Sequence, residues 1–265
     1  MPFAVERSEG KKGMIVKMSE DLKFLIDVVK GASLLITDEF EINAKGNNGD
    51  LVTNFDFEIE KYIIDKIKQN YPDFSVVSEE YNSEKELTDN CFTVDPIDGT
   101  INFAHNIPLW GIQVACIRDK KTCAAVIYIP KMNELFYADE KGAYLNDEPI
   151  KVNSFDSKKG LYSVEGPNRL PGQVKMKQIN PHCRDFFCAA INYAWVACGR
   201  LSATIFRKDS LWDYVPGQYI VEKAGGVIYN DNGAHIAANN NEFLQVIKDK
   251  ASLEDNEQVI VTNGK

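Results

Sequence analysis

The feature that most restricts this chain is a short apolar run stopped by carboxylates: Phe92-Thr93-Val94 leads into Asp95-Pro96-Ile97-Asp98-Gly99-Thr100. A run this short, bounded by breakers, reads as a buried strand rather than a helix. Pro96 removes a backbone donor and Gly99 invites a turn, so regular structure must be interrupted between the two aspartates. The reading is a turn at Pro96-Ile97 that aims Asp95 and Asp98 to one side, followed by a short helix from about Ile101.

Two carboxylates aimed together suit a hard divalent cation such as Mg²⁺, which takes carboxylate and carbonyl oxygens. No histidine or cysteine cluster offers a softer site. Gly99 and Thr100 lie where a starting helix leaves unpaired N–H groups, so a phosphate could dock there. An Asp-Gly turn that merely caps a helix stays open for these residues alone. A calcium loop fits poorly, since the segment lacks alternating oxygen ligands and a glutamate at the twelfth position. The haloacid dehalogenase pattern has one residue between its aspartates; here there are two.

Helical spacing of Leu22, Leu25, Ile26, Val29 and Leu34 predicts a helix from Ser19, its N-cap, to about Phe40. Ala44 to Asp50, rich in Gly and Asn, reads as a mobile loop. A second helix is expected over 56–70, with Ile59, Ile63, Ile64 and Ile67 on one face, and a strand over 74–77 ending at Glu79-Glu80. Two strands joined at Asp119-Lys120-Lys121 follow over 110–130, then strand and turn over 134–150. Beyond a polar connection at 153–159, the segments 188–198, 212–224, 227–229 and 259–262 alternate between helix-like and strand-like. The expected organisation is a polar extension over 1–18, an α+β half over 19–152 carrying the acidic motif, and an α/β half over 153–265.

The 265 residues carry a formal net charge of −9, so the electrostatic footprint of a nucleic-acid or anionic-membrane binder is missing. The apolar stretch over 22–36 is interrupted by Lys23, Asp27 and Lys30, and no run reaches the roughly 18 residues a membrane span needs. Six cysteines without paired spacing, and no secretory signal at the start, predict reduced thiols in a cytoplasmic protein.

Two separated stretches then carry a resemblance: DPIDGTINF (Asp95 to Phe103) and WDYVPGQYIVEKAGG (Trp212 to Gly226) are similar to the two signatures of the inositol monophosphatase family. GDLVTNFDFEIEKYI (Gly49 to Ile63) and VVSEE (Val76 to Glu80) stand in the expected order before them. The resemblance implies a layered α/β/α/β/α sandwich, a homodimer, and a lithium-sensitive phosphatase acting on a small phosphorylated metabolite. It implies two or three Mg²⁺ ions, with Mn²⁺ a possible substitute, on Glu79, Asp95, Asp98, Asp213 and the carbonyl of Ile97. One ion on Glu79 and Asp95 would activate water; another on Asp95, Asp98 and Asp213 would stabilise the leaving alkoxide. Asp56 and Thr100 match the pair that positions that water, and Lys45 matches a lysine that brings positive charge over the phosphate. Residue by residue, other roles stay open: Glu79 as a surface acid, Lys45 as a loop lysine, Asp213 as an N-cap. Pro216 would then sit in the first turn of the following helix. His105, His182 and His235 lie outside the motifs and read as structural or surface residues.

The chain also departs from the family. Seven positions before the second-signature aspartate, where inositol-specific members carry an acid, stands Phe206, followed by Arg207 and Lys208. A phenylalanine accepts no hydrogen bond, so the expectation moves from a neutral polyol to a substrate with a second anionic group. Asn168 and Ala189 fall near pocket-shaping positions and set no preference. Fructose-1,6-bisphosphate, NADP and histidinol phosphate remain alternative substrates within the family, and a 3′-phosphoadenosine substrate is disfavoured by Ile101-Asn102. A non-catalytic regulatory protein on the same fold is the reading from another class.

Overall fold

A computed structural model describes residues 18–46, 49–165, 182–207, 210–231 and 233–251. Residues 1–17 of the expected extension over 1–18 and the strand over 259–262 lie outside the described residues, as do Asn168 and Lys208, while Met18 packs against the core.

Helix α1 (Glu20–Ser33) is capped by Ser19, whose Oγ accepts the Leu22 N–H at 3.2 Å. It stops short of the expected Phe40. Its last turn tightens through bonds from Leu34, Leu35 and Ile36 to carbonyls three residues back, and Leu34 is 83% exposed. Beyond the helix Leu35, Ile36 and Phe40 still pack against the core, from non-helical chain. Strands β1 (Ile42–Lys45) and β2 (Asp50–Thr53) then pair as an antiparallel hairpin across the stretch read as a loop. Helix α2 (Asn54–Asn70) buries Ile59, Ile63, Ile64 and Ile67, and the short helix α3 (Thr100–Ala104) follows the acidic motif as expected.

One sheet has seven strands in the order β3 (Ser75–Ser78), β4 (Cys91–Asp98), β5 (Gly111–Arg118), β6 (Lys121–Ile129), β7 (Glu134–Asp139), β8 (Gly142–Leu145), β9 (Glu148–Pro149). Only β3 and β4 run parallel. Asp119 and Lys120 both take positive φ in the turn between β5 and β6, the twist that a two-residue hairpin connection needs. Alternation divides the sheet's side chains between two cores. Phe92, Val94, Ile112 and Val114 pack with α1 and α2. Ala115, Ile117, Ala125 and Ile127 pack with α4 (Ala189–Ala197) and α5 (Leu211–Lys223).

A second sheet has the order β11 (Cys183–Arg184), β10 (Tyr162–Glu165), β12 (Ala203–Phe206), β14 (Ala234–Ala238), β13 (Val227–Asp231). Phe206 and Ala237 join the α4 and α5 core, while Tyr162, Val164, Ala203, Ile205 and Ile236 pack with Phe243 and Ile247 of α6 (Asn241–Ala251). The layers are therefore α1 and α2, sheet, α4 and α5, sheet, α6: the α/β/α/β/α sandwich that the sequence resemblance implied. The boundary expected near residue 152 falls between β9 and β10, and the core around α4 and α5 spans it.

Two local readings are corrected. Pro96 and Ile97 do not end the strand: β4 runs through Asp98, and its pairing with β5 slips between Asp95 opposite Gln113 and Asp98 opposite Gly111. One extra residue on β4 makes a bulge, which admits a proline because no ladder donor is required there. Pro216 lies in the second turn of α5, since the helix opens at Leu211 behind the N-cap Ser210. Asp213 is thus a first-turn acid, where the helix dipole favours it, and not the cap.

Candidate active site

The acids converge because three elements end or bend at one place. Glu79 follows β3, Asp95 and Asp98 flank the bulge of β4, and Asp213 enters from the first turn of α5. Carboxylate oxygens of Asp95, Asp98 and Asp213 lie within 4.8 Å of one another, and all three residues are buried. Among the described residues neither oxygen of Asp95 has a hydrogen-bond donor, although the side chain is only 1% exposed. Burial, then the charges of Glu79, Asp98 and Asp213, push its pKa well above the usual carboxylate range. Burial and Asp213 push Asp98 up to about 7, against the N–H of Ala190. A buried group of oxygen donors whose negative charges are this poorly compensated is matched by a hard cation.

Asp98 is held from the α4 side. Its Oδ2 accepts from the Ala190 N–H, from Cys188 Sγ at 3.5 Å and from Gln113 Nε2 at 3.3 Å. Gln113 Nε2 also reaches the Asp213 carbonyl at 3.4 Å, linking β5 to α5 behind the acids. Ala189, the first residue of α4, is buried with its neighbours in the core.

Asp56 is fully buried and plays two parts. Its Oδ2 accepts the Thr53 N–H at 2.7 Å and Thr53 Oγ1 at 2.6 Å, a capping box that starts α2. Its Oδ1 faces Thr100 Oγ1 at 3.1 Å, and that hydroxyl also stands 2.9 Å from the Ile97 carbonyl. Burial raises the pKa of Asp56 to about 6, despite its bonds to Thr53. Gly99 takes φ +87°, and a Cβ there would come within 3.0 Å of the Leu109 carbonyl, so glycine is required between Asp98 and Thr100.

Lys45, at the end of β1, pairs with Glu79 at 2.8 Å and also with Glu80. Burial alone would lower its pKa, but Glu79 and Glu80 outweigh burial and raise it. Burial lifts Glu80 to about 7. Beneath them the buried Glu60 of α2 accepts from Ser78 Oγ at 2.6 Å and from the N–H groups of Glu80 and Tyr81, both at 2.7 Å, which fixes the path of the chain after β3.

Phe206 ends β12 and is 3% exposed, packed in the core with its ring 6.5 Å from that of His235. Arg207 follows it, its N–H donating to the Glu165 carbonyl at 2.9 Å. His235 stacks on Tyr214 with centroids 3.7 Å apart, and His105 bonds the Ile101 carbonyl on the surface. None of the six cysteines forms a disulfide among the described residues.

The sequence reading missed one buried acid and one half-buried one. Glu60 sits on α2 beside the apolar stripe, and Glu165 ends β10 within reach of the charges of Asp98 and Asp213. A lone acid closing a run of strand-forming residues, as at Tyr162 to Glu165, is the same signal that marked Asp95, without a second carboxylate to draw notice.

Comparison with known proteins bears on what such a cluster does. The model of the inositol monophosphatase family matches residues 17–258. A fructose-1,6-bisphosphatase/inositol-1-monophosphatase of Thermotoga maritima is 32% identical over 223 residues, covering 82% of this chain and 86% of that protein. The Nus factor SuhB of Escherichia coli K12 is 33% identical over 210 residues, covering 75% and 78%. Among solved structures, an IMPase of Thermotoga maritima superimposes with a TM-score of 0.77 at 28% identity, over 87% of this chain and 94% of its own.

Proposed function

The chain belongs to the inositol monophosphatase family, and from that premise we propose that it hydrolyses a small phosphate monoester with Mg²⁺ held by Glu79, Asp95, Asp98, Asp213 and the Ile97 carbonyl. The observation that carries the reading is Asp95, buried beside three more acids with no hydrogen-bond donor to either carboxylate oxygen among the described residues. The ligand atoms that Asp95, Asp98 and Asp213 bring together are carboxylate oxygens, which favour Mg²⁺, with Mn²⁺ next, over softer ions. Bound ions supply the positive charge that polarises the phosphoryl oxygens, acidifies the attacking water and stabilises the leaving alkoxide.

The chain's own groups do the rest. Thr100 Oγ1 orients the water, and Asp56, pinned by Thr53, orients Thr100. Gly99 takes the left-handed turn that carries the chain from Asp98 to Thr100 while packed against the Leu109 carbonyl and Cys188. Ala190 N–H and Gln113 fix the rotamer of Asp98, so the cluster is organised before a ligand arrives. Lys45 neutralises Glu79 and Glu80 from the β1–β2 hairpin and is within reach of an anion docked beside them.

The test is phosphate release from a panel of phosphorylated metabolites, including inositol 1-phosphate, fructose 1,6-bisphosphate, NADP and histidinol phosphate, with Mg²⁺, with Mn²⁺ and with chelator. Chelator-sensitive release from at least one is expected. A folded protein that binds Mg²⁺ and releases phosphate from none would leave the non-catalytic reading, which the SuhB relatives' description as Nus factors keeps in view. The same reading carries a homodimer in the cytoplasm, and sedimentation of the purified protein checks the dimer.

A further inference from the structure

The seven-stranded sheet carries a second bulge, away from the acidic cluster. Cys116 of β5 lies opposite Ala124 and Ile117 opposite Thr122, so Cys123 is an extra residue on β6. Strict alternation would send Cys123 and Ala124 to opposite faces of the sheet. With the bulge, both join Cys116 in the core beneath α1 and α2. There the two thiols meet Asp21, in the first turn of α1. Both sulfurs and a carboxylate oxygen of Asp21 lie within 4.8 Å of one another. Cys123 Sγ stands 3.6 Å from Asp21 Oδ2 and 3.4 Å from the Cys116 carbonyl. Cys116 is fully buried and Cys123 half-buried, so the group is reached from the Cys123 side.

Asp21 is fixed from its outer side. Arg118 donates Nε to Oδ2 and Nη2 to Oδ1, both at 2.8 Å, and Tyr71 OH donates to Oδ1 at 2.9 Å. Oδ2 thus has one donor in Arg118 and turns its remaining capacity to Cys123. Outer donors that orient a carboxylate in this way are what metal sites use to hold a ligand in place. Bonds of about 2.3 Å to sulfur and about 2.1 Å to oxygen put those two atoms roughly 3.5 Å apart around a tetrahedral zinc ion. The 3.6 Å between Cys123 Sγ and Asp21 Oδ2 already has that length. The contact with Cys123, and then burial, push the Cys116 thiol pKa up, so this sulfur yields its proton only to a strong, soft Lewis acid.

We propose that Cys116, Cys123 and Asp21 form a second metal site, for Zn²⁺, which clips α1 to the β5–β6 hairpin and leaves a fourth position to water. The site is separate from the carboxylate cluster and does not depend on the phosphatase reading. Zn²⁺ binds two thiolates and one carboxylate, and the two thiol protons are released to solvent. The three negative ligands are balanced by the ion together with Arg118, so the loaded site adds no net charge to the core. Mg²⁺ lacks affinity for sulfur and stays with the oxygen cluster. The residues come from α1 and two strands without the close cysteine pairing of zinc motifs, so the sequence gave no sign of a soft site.

The experiment titrates the reduced full chain with Co²⁺, a spectroscopic stand-in for Zn²⁺, in the presence of excess Mg²⁺. A near-ultraviolet sulfur-to-cobalt charge-transfer band is expected, saturating at one ion per chain and abolished by Zn²⁺. Cys116→Ser and Cys123→Ser should each lose the saturable band. Arg118→Gln, which frees Asp21 from its outer donor, should weaken binding about tenfold to a hundredfold. Cys188 is the sulfur beside Asp98, and Cys188→Ser should keep the band unchanged. No band in the wild type, a band that survives loss of Cys116 or Cys123, or one that vanishes in Cys188→Ser overturns the proposal. A readout that needs no variant is alkylation of the wild type by iodoacetamide, mapped by mass spectrometry. Zn²⁺ should protect Cys123 in step with proton release, and an unchanged alkylation rate at saturating Zn²⁺ overturns the proposal even where the serine variants fail to fold.

Discussion

Asp56→Asn separates the two parts that Asp56 plays. The amide keeps one acceptor oxygen, and the Thr53 N–H and Oγ1, at 2.7 and 2.6 Å, require that oxygen on their side. The new amide nitrogen must then face Thr100 Oγ1, now 3.1 Å from Oδ1. The hydroxyl responds by accepting from the amide and donating to the Ile97 carbonyl at 2.9 Å, so no group is left unsatisfied. What remains is the change from charge-assisted to neutral hydrogen bonds, a loss of about 1 kcal/mol. Relief from burying a carboxylate whose pKa is raised to about 6 offsets part of it. The melting temperature should shift by no more than about 2–4 °C. Activity has no such compensation, because the threonine lone pair that would hold the water is now engaged by the amide, and kcat should fall about a hundredfold or more. Thr100→Ala should fall comparably, and the double variant no further than the larger single loss. Phosphate-release kinetics on the three variants, with melting curves beside them, decide the matter. Additive losses, or an Asp56→Asn enzyme within about threefold of wild type, would refute the reasoning.

Three further outcomes follow from the same geometry. Asp98→Asn removes one of several mutually repelling buried acids, so turnover should drop at least about a hundredfold while the chelated protein melts no lower than wild type; calorimetry should show weakened Mg²⁺ binding, and unchanged affinity would argue against ligation. Asp56 at about 6 and Asp98 and Glu80 at about 7 lie above ordinary carboxylates, so the native metal-free protein binds more protons than the unfolded chain across that window. Its stability should therefore fall as pH rises from about 4 to 7, and Mg²⁺ should raise the melting temperature more at about pH 8 than at about pH 5; an equal rise at both fails the prediction. Gly217→Ala would put a Cβ 2.4 Å from that of Tyr193, where α5 crosses α4, and should cost about 1–3 kcal/mol in denaturant titrations, a neutral result contradicting the close approach.

The helices α1, α2, α4 and α5 and the β5–β6 hairpin are legible in the residues because apolar spacing and turn chemistry act within a few positions. The β1–β2 hairpin was hidden by a Gly- and Asn-rich connection, whose backbone freedom serves a tight loop and a flexible one alike. The second sheet was mostly hidden as well: β10 pairs with β12 and β12 with β14, and those contacts cross long stretches of chain that no local pattern records. The bulge at Pro96 shows the limit of punctuation, since a proline removes a donor but cannot say whether the strand stops or steps around it. Asp95, Asp98 and Asp213 stood out through motifs; Glu165 did not, because the acids near it, Asp98 and Asp213, come from distant parts of the chain.

The carboxylates enter from β3, from β4 and from α5, and α5 is packed between the two sheets. Glu79, Asp95 and Asp98 come with the first sheet and Asp213 with a helix far along the chain, so the cluster is complete only when α5 has docked on that sheet. A cation that meets only the completed cluster stabilises the native state alone, so its binding free energy is added to the stability of the whole assembled sandwich.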